Sequence, residues 1–264
     1  STASVDYEYF LYDQGITAYF NDVNAVSVVD FLGCTSESEA VTTSLVNAVE
    51  SAATRQDRMI AIAGAGAVID IATYSNPHDT SRLQVCYPSR DPNYDTAIGS
   101  YVGRRARLGI NQSPLNKRLT QHRVLSERLS DADLSALDAE NVVSLISENR
   151  GVRIGNDATC VSSGNTDEAG MDYGLGRLVM DYVADTLEEI EEPYIGKFNN
   201  ERVLGDLENA LDGRLTVLKE SEVLIDYSVN VSKIDALNAQ VDVGVNAVAP
   251  LTNIFNTITA GGSQ

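Results

Sequence analysis

The sequence predicts an α/β protein, α+β overall, and three observations carry that prediction. Apolar runs that read as strands alternate with helical patterns over 25–108, the order that crossover connections and a mainly parallel sheet produce. After residue 170 two long helical patterns follow each other, and the chain then closes on runs with a period of two, the mark of strands with one buried face. At 264 residues with 43% hydrophobic content the chain can bury one large core or two modest ones. The texture changes near Gly109, which divides the chain into an α/β domain over 1–118 and a C-terminal domain over 119–264 that ends in an extended arm from residue 249 onward.

In order, 6–20 is a helical pattern rich in aromatics (Tyr9, Phe10, Tyr12, Tyr19, Phe20) and interrupted near Gly15, and 25–32 is a buried strand. Ser36 or Ser38 caps a helix reaching Gln56, with Glu37 and Glu39 at its positive end and Arg55 near its negative end. A strand at 59–63, a short helix at 68–74, a strand at 82–87 stopped by Pro88 and a helix at 95–108 complete the first half. A loop containing Pro114 leads to a strand at 118–125, a helix capped by Ser130 and ending near Ala139, and a hairpin of 141–147 with 152–154. The polar, Gly- and Ser-rich stretch 158–170 is a surface loop or hinge. Helices over 172–191 and 200–218 are separated by Pro193 and Gly196. In the closing strands Val223, Ile225, Tyr227, Val229 and Val231 form one apolar row, and Val241, Val243, Val245, Ala247 and Ala249 a second. Pro250 has no N–H and stops ladder pairing before a third run at 253–259, with Ile254 and Ile258 on one side and Phe255 on the other.

Charge narrows the function. With 38 acids against 19 bases the formal net charge is -19, which excludes a generic nucleic-acid binder held by phosphate neutralisation and disfavours anionic membrane surfaces. Such acidity repels itself in a compact fold, but molar salt shrinks the Debye length to roughly 3 Å, so the composition points to a halophilic source, an ordinary acidic protein being the alternative. Cys34, Cys86 and Cys160 are odd in number and without CxxC spacing, so they read as small buried hydrophobes rather than a disulfide framework. No apolar run is long enough to span a membrane and no signal-like N-terminus is visible.

Catalytic and metal motifs fail on inspection. Gly64 and Gly66 follow a strand, but the third glycine of a dinucleotide loop would fall on Ile69, which leaves a tight turn. Asp131, Asp133 and Asp138 resemble a calcium loop until its sixth and twelfth positions, which are Ala136 and Val142. His78 and His122 have no Cys or His at ligand spacing. A G-x-S-x-G elbow, a Walker loop and an HExxH are absent, and no cofactor is expected. One electrostatic feature stands out: Arg104, Arg105 and Arg107 open a basic stretch continued by Lys117, Arg118, Arg123 and Arg128, whereas 167–212 holds thirteen acids. The two patches either meet across copies of the chain or are neutralised within one subunit.

From Ser113 to Ala260 the order of features becomes recognisable. It runs through Ser113, Pro114 and Leu115, then LTQHRVLSERLSDADLSALDAENVVSLISENRGVRIGNDATC, the helix bearing Arg177, and the closing VDVGVNAVAPLTNIFNTITA. This region resembles the C-terminal part of contractile phage tail sheath proteins, with Leu137, 141–146, Gly155, Thr159, Arg177, 200–218, 241–248 and Pro250 at the family's positions. Two features depart from the family: no Pro-Gly-Val-Tyr-like arm segment precedes Asp6, as in a minimal sheath or a chain lacking an N-terminal part, and there is no Trp.

The resemblance implies a non-enzymatic structural subunit, a homo-oligomer that polymerises as hexameric discs in a six-fold helical sheath around a tail tube protein. The sheath then contracts to drive the tube through an envelope. It implies baseplate and tail terminator proteins as further partners, no direct nucleic-acid or membrane contact, and residence in a virion tail assembled in the host cytoplasm. Terminal arms would complete neighbours' sheets, which assigns Val223, Ile225, Tyr227, Val241, Val243, Val245, Pro250, Ile254, Phe255 and Ile258 to an intersubunit sheet. Arg202, Asp206 and Asn209 on the second long helix would face the tube, and Arg104, Arg105 and Arg107 an interface. Two other readings stand beside it: another self-assembling virion component such as a capsid or tube protein, and an α/β enzyme with a site near Gly64 and 76–79.

Overall fold

A computed structural model describes residues 30–250, apart from 55, 67–68, 93–95, 163, 167 and 169. The helix expected at 6–20, most of the strand expected at 25–32, Arg55, and the run at 253–259 with Ile254, Phe255 and Ile258 lie outside the described residues.

The first layer grows around strands whose every residue is buried. In chain order the elements are β1 (Phe31–Gly33), α1 (Glu39–Ala53), β2 (Ile60–Gly64), β3 (Leu83–Tyr87), α2 (Ile98–Arg105), β4 (Arg118–Leu119), α3 (Asp131–Ala139), β5 (Val142–Glu148) and β6 (Gly151–Ile154). They form one six-stranded sheet in the order β1-β2-β3-β5-β6-β4. The pairs β1–β2, β2–β3 and β3–β5 are parallel, as the crossover order predicts, and β5–β6 is the expected hairpin. Strand alternation sorts the core into two faces. Ala61, Ala63, Leu83, Val85 and Tyr87 pack under α1 through Val41, Leu45 and Val49. Ile62, Cys86, Val143, Leu145 and Ile154 pack under α2 through Ile98 and Tyr101. Strands from both sides of residue 118 therefore share one sheet.

Several local expectations hold for identifiable reasons. Ser130 and Asp133 form a reciprocal capping box at α3. Gly66 sits at φ 139°, a conformation that suits the tight turn expected there and strains any side chain. Others are corrected. Residues 71–73 form a single turn instead of a helix, because the Asp70 carboxylate accepts the Ala72 N–H and its carbonyl accepts Thr73 N. The strand expected over 118–125 stops after Leu119, whose carbonyl accepts His122 N and turns the chain. His122 thus lies in a turn, buried, with Nδ1 2.7 Å from Asp91 Oδ2 and Nε2 2.8 Å from Ser100 Oγ.

The second layer is made of α4 (Gly174–Glu191), a short 3-10 turn (Glu192–Tyr194), α5 (Glu201–Glu220), β7 (Leu224–Lys233) and β8 (Ala239–Ala247). Asn200 caps α5 by accepting Val203 N at 3.0 Å. Leu175, Val179 and Val183 of α4 meet Leu215 and Leu218 of α5 with Val223 and Leu224, and the antiparallel β7–β8 ribbon lies on this cluster.

Candidate assembly surface

The ribbon is built as a half-buried surface. Tyr227 faces Val245, Val229 faces Val243 and Val231 faces Val241 across the ladder. Tyr227, Val229, Val243, Val245 and Ala247 pack on the α4–α5 cluster, while Asp226, Ser228, Asn230, Asp242 and Asn246 face solvent. Tyr227 fixes the ribbon to α5 through its hydroxyl, 2.7 Å from Thr216 Oγ1 and 3.0 Å from Asp212 Oδ1. Ile225 departs from the expected apolar row. A β-bulge between Leu224 and Asp226 shifts the register, so Leu224 is buried and Ile225 is 54% exposed. Each ribbon strand has one partner among the described residues, so the outward N–H and C=O groups of a ten- and a nine-residue strand meet no third strand there. Pro250 follows at the ribbon's base, beside Leu115, Lys117 and Leu224 in an open cleft of about 670 Å³.

The layers are joined by charge rather than by apolar contact. Asp157, in the loop after β6, accepts from Arg105 Nη1 at 2.7 Å, Gln84 Nε2 at 2.9 Å, Ser113 Oγ at 2.9 Å and Leu175 N at 3.1 Å at the start of α4. Both members of this ion pair are buried, with side-chain exposures of 1% and 0%. Gly174 is required in this packing: a Cβ there would stand 2.6 Å from Gln84 Nε2 and 2.9 Å from Arg105 Nη2. Further along α4, Arg82 forks onto Asp181 at 3.0 and 3.2 Å, Arg177 pairs with the same carboxylate, and Arg58 pairs with Asp185 and Glu188. Burial, with Asp185 and Asp181 nearby, pushes the Asp30 carboxyl above its usual range.

The structure sorts the residues expected at interfaces. Val223 is buried, whereas Tyr227, Val241, Val243 and Val245 are half-buried on the ribbon. Arg202, Asp206 and Asn209 all stand on the exposed face of α5. The basic trio is split: Arg107 is exposed, Arg104 half-buried, and Arg105 is withdrawn into the core by Asp157, with Phe31 stacked 5.4 Å from its guanidinium. Cys34, Cys86 and Cys160 are free and buried, and burial raises the Cys160 thiol to about 12. The Arg105–Asp157 clasp was not anticipated, since its members are far apart in sequence; the i,i+4 pair Arg177–Asp181 was its nearest local signal.

No family model matches the chain, and no curated protein matches its sequence. Solved structures do match its fold. The sheath complex of an extracellular contractile injection system (PVC) in its contracted state is 17% identical at a TM-score of 0.72, over 92% of this chain and 74% of that one. A sheath tail protein from Listeria innocua is 12% identical at a TM-score of 0.73, over 90% of this chain and 57% of that one. A chain of the six-fold symmetrised anti-feeding prophage baseplate is 18% identical at a TM-score of 0.67, over 85% of this chain and 66% of that one. The chain therefore shares the fold of contractile sheath proteins and spans 57 to 74% of the length of these relatives.

Proposed function

We propose that this chain is the structural subunit of a contractile sheath, which polymerises helically around a tail tube and shortens to drive the tube through an envelope. The observation that carries the reading is the shared fold over 92% of the chain with a sheath in its contracted state. The ribbon supplies the means of linkage. An extended segment of a neighbouring copy adds to a long unpaired edge, with backbone hydrogen bonds giving strength and alternate side chains giving register. The segment 249–264 is the donor, and Pro250 marks where it leaves its own ribbon. Arg202, Asp206 and Asn209 face the tube, and baseplate and terminator proteins cap the ends.

The work of contraction comes from lattice contacts better satisfied in the shortened state. Subunits turn as rigid bodies because the two layers are clamped by buried ion pairs, while short links after β8 absorb the change. The charge of -19 makes assembly favour high salt. Negative-stain microscopy of the purified chain in molar salt tests the reading. Hollow striated sleeves are expected, and discrete small particles at every concentration would overturn it.

A further inference from the structure

A second surface lies away from the ribbon's edges, at its tip. The four most exposed large apolar side chains among the described residues are Leu237 at 89%, Phe198 at 85%, Ile195 at 82% and Ile234 at 60%. They are not scattered. Ile195 and Phe198 belong to the α4–α5 connection, and Ile234 and Leu237 to the β7–β8 turn. The two loops are tied together: Asn199 Nδ2 donates to the carbonyls of Asp235 and Asn238 at 3.0 and 3.1 Å, and Lys233 Nζ donates to the Asn199 carbonyl at 3.2 Å. Four large apolar groups held on two mutually braced loops make a contiguous patch of the kind that marks a protein contact.

The charge around the patch identifies its occupant. Over 193–200 and 233–238 the charged residues are Lys197, Lys233 and Asp235, so this tip carries half of the chain's four lysines and a net positive charge on a molecule of -19. The Asp235 carboxylate is turned into its own loop, accepting from Leu237 N at 2.7 Å and Asn238 N at 2.8 Å. A cationic, apolar tip is complementary to an acidic surface, and the acidic surface on the page is that of the chain itself. We infer that the joined tips of the α4–α5 loop and the β7–β8 turn are a docking face that seats on the acidic body of a second copy of this chain. Two such tips repel each other, so the contact is head-to-tail, the type that repeats into rings or helical filaments. It is separate from strand addition at the ribbon edges, and takes from the sheath reading only that copies meet.

The test compares the full chain with Phe198→Asp/Leu237→Asp and Lys197→Glu/Lys233→Glu by sedimentation velocity over a concentration series, with negative-stain images of each. All four side chains are exposed, so melting curves should be unchanged. Each double variant is expected to weaken self-association at least about tenfold, as loss of an interface centre does. Association within about twofold of wild type in both variants overturns the inference, as does a wild type that stays monomeric. Sleeves formed equally well by all three proteins sink the docking face and leave the sheath reading standing. Small oligomers that never form sleeves but weaken in both variants do the reverse. Loss of association on deleting 251–264, with both tip variants behaving as wild type, assigns the contact to the terminal segment and also overturns it.

Discussion

The two β-structures of this molecule differ in how they end. In the six-stranded sheet β2 and β3 are buried along their whole length, helices cover both faces, and the edge strands β1 and β4 are three and two residues long. Short edges leave little backbone for a stranger to pair with. The ribbon has the opposite design: one face is solvated, and both strands are edges of ten and nine residues among the described residues. One sheet is finished within the chain, and the other is complete only with help from outside it. A protein that must stay folded while its neighbours rearrange needs both kinds.

That contrast is open to attack at several points. The largest effect is expected where the two layers are clamped. Asp157→Ala leaves the Arg105 guanidinium buried without its carboxylate and should cost about 3–5 kcal/mol in denaturant unfolding; a loss below about 1 kcal/mol would show the layers to be held by something else. Next is Leu215→Ala in the α4–α5 cluster, expected to cost about 2–4 kcal/mol through the cavity it opens. Exchange of β7 and β8 amides should quicken there more than that of β2 and β3. A sharper comparison lies within the ribbon. Val243→Ser removes a half-buried methyl pair and should cost about 1–2 kcal/mol, whereas Ile225→Ser, at the bulge, should cost less than about 0.5 kcal/mol; equal losses would restore Ile225 to the packed row.

The smallest effect belongs to pH. Hydrogen bonds from Arg153 and Arg118 hold the Glu148 carboxyl below the usual glutamate range. A depressed carboxylate stabilises the fold above its unfolded pKa, and that stabilisation is lost as pH falls through the folded value. Glu148→Gln should therefore be slightly less stable than wild type at neutral pH, and the difference should shrink in acid. A difference that grows in acid would contradict the pairing.

Much of this architecture is legible locally. Helices over 174–191 and 201–220 follow from apolar periodicity and an Asn200 cap, and the parallel order from strands spaced by helices. What escaped was non-local. Arg105 reads as part of a surface patch because its neighbours Arg104 and Arg107 are basic, and nothing nearby announces Asp157. Ile225 keeps a perfect period of two in sequence, but a bulge moves it out of phase, and a bulge leaves no mark on the hydrophobic pattern. The strand expected over 118–125 and the helix expected over 68–74 fail because a carbonyl or carboxylate closes a turn first. The tip residues Phe198 and Leu237 lie in loops about forty positions apart, and only the fold brings those loops together.

The most direct test of the unfinished ribbon is hydrogen exchange on the dilute subunit and on its assembled form, read amide by amide. If copies complete one another's ribbons, outward-edge amides of β7 and β8 slow at least about tenfold on assembly while those of β2 and β3 keep their rates. Unchanged rates along both ribbon edges in a fully assembled sample would contradict it.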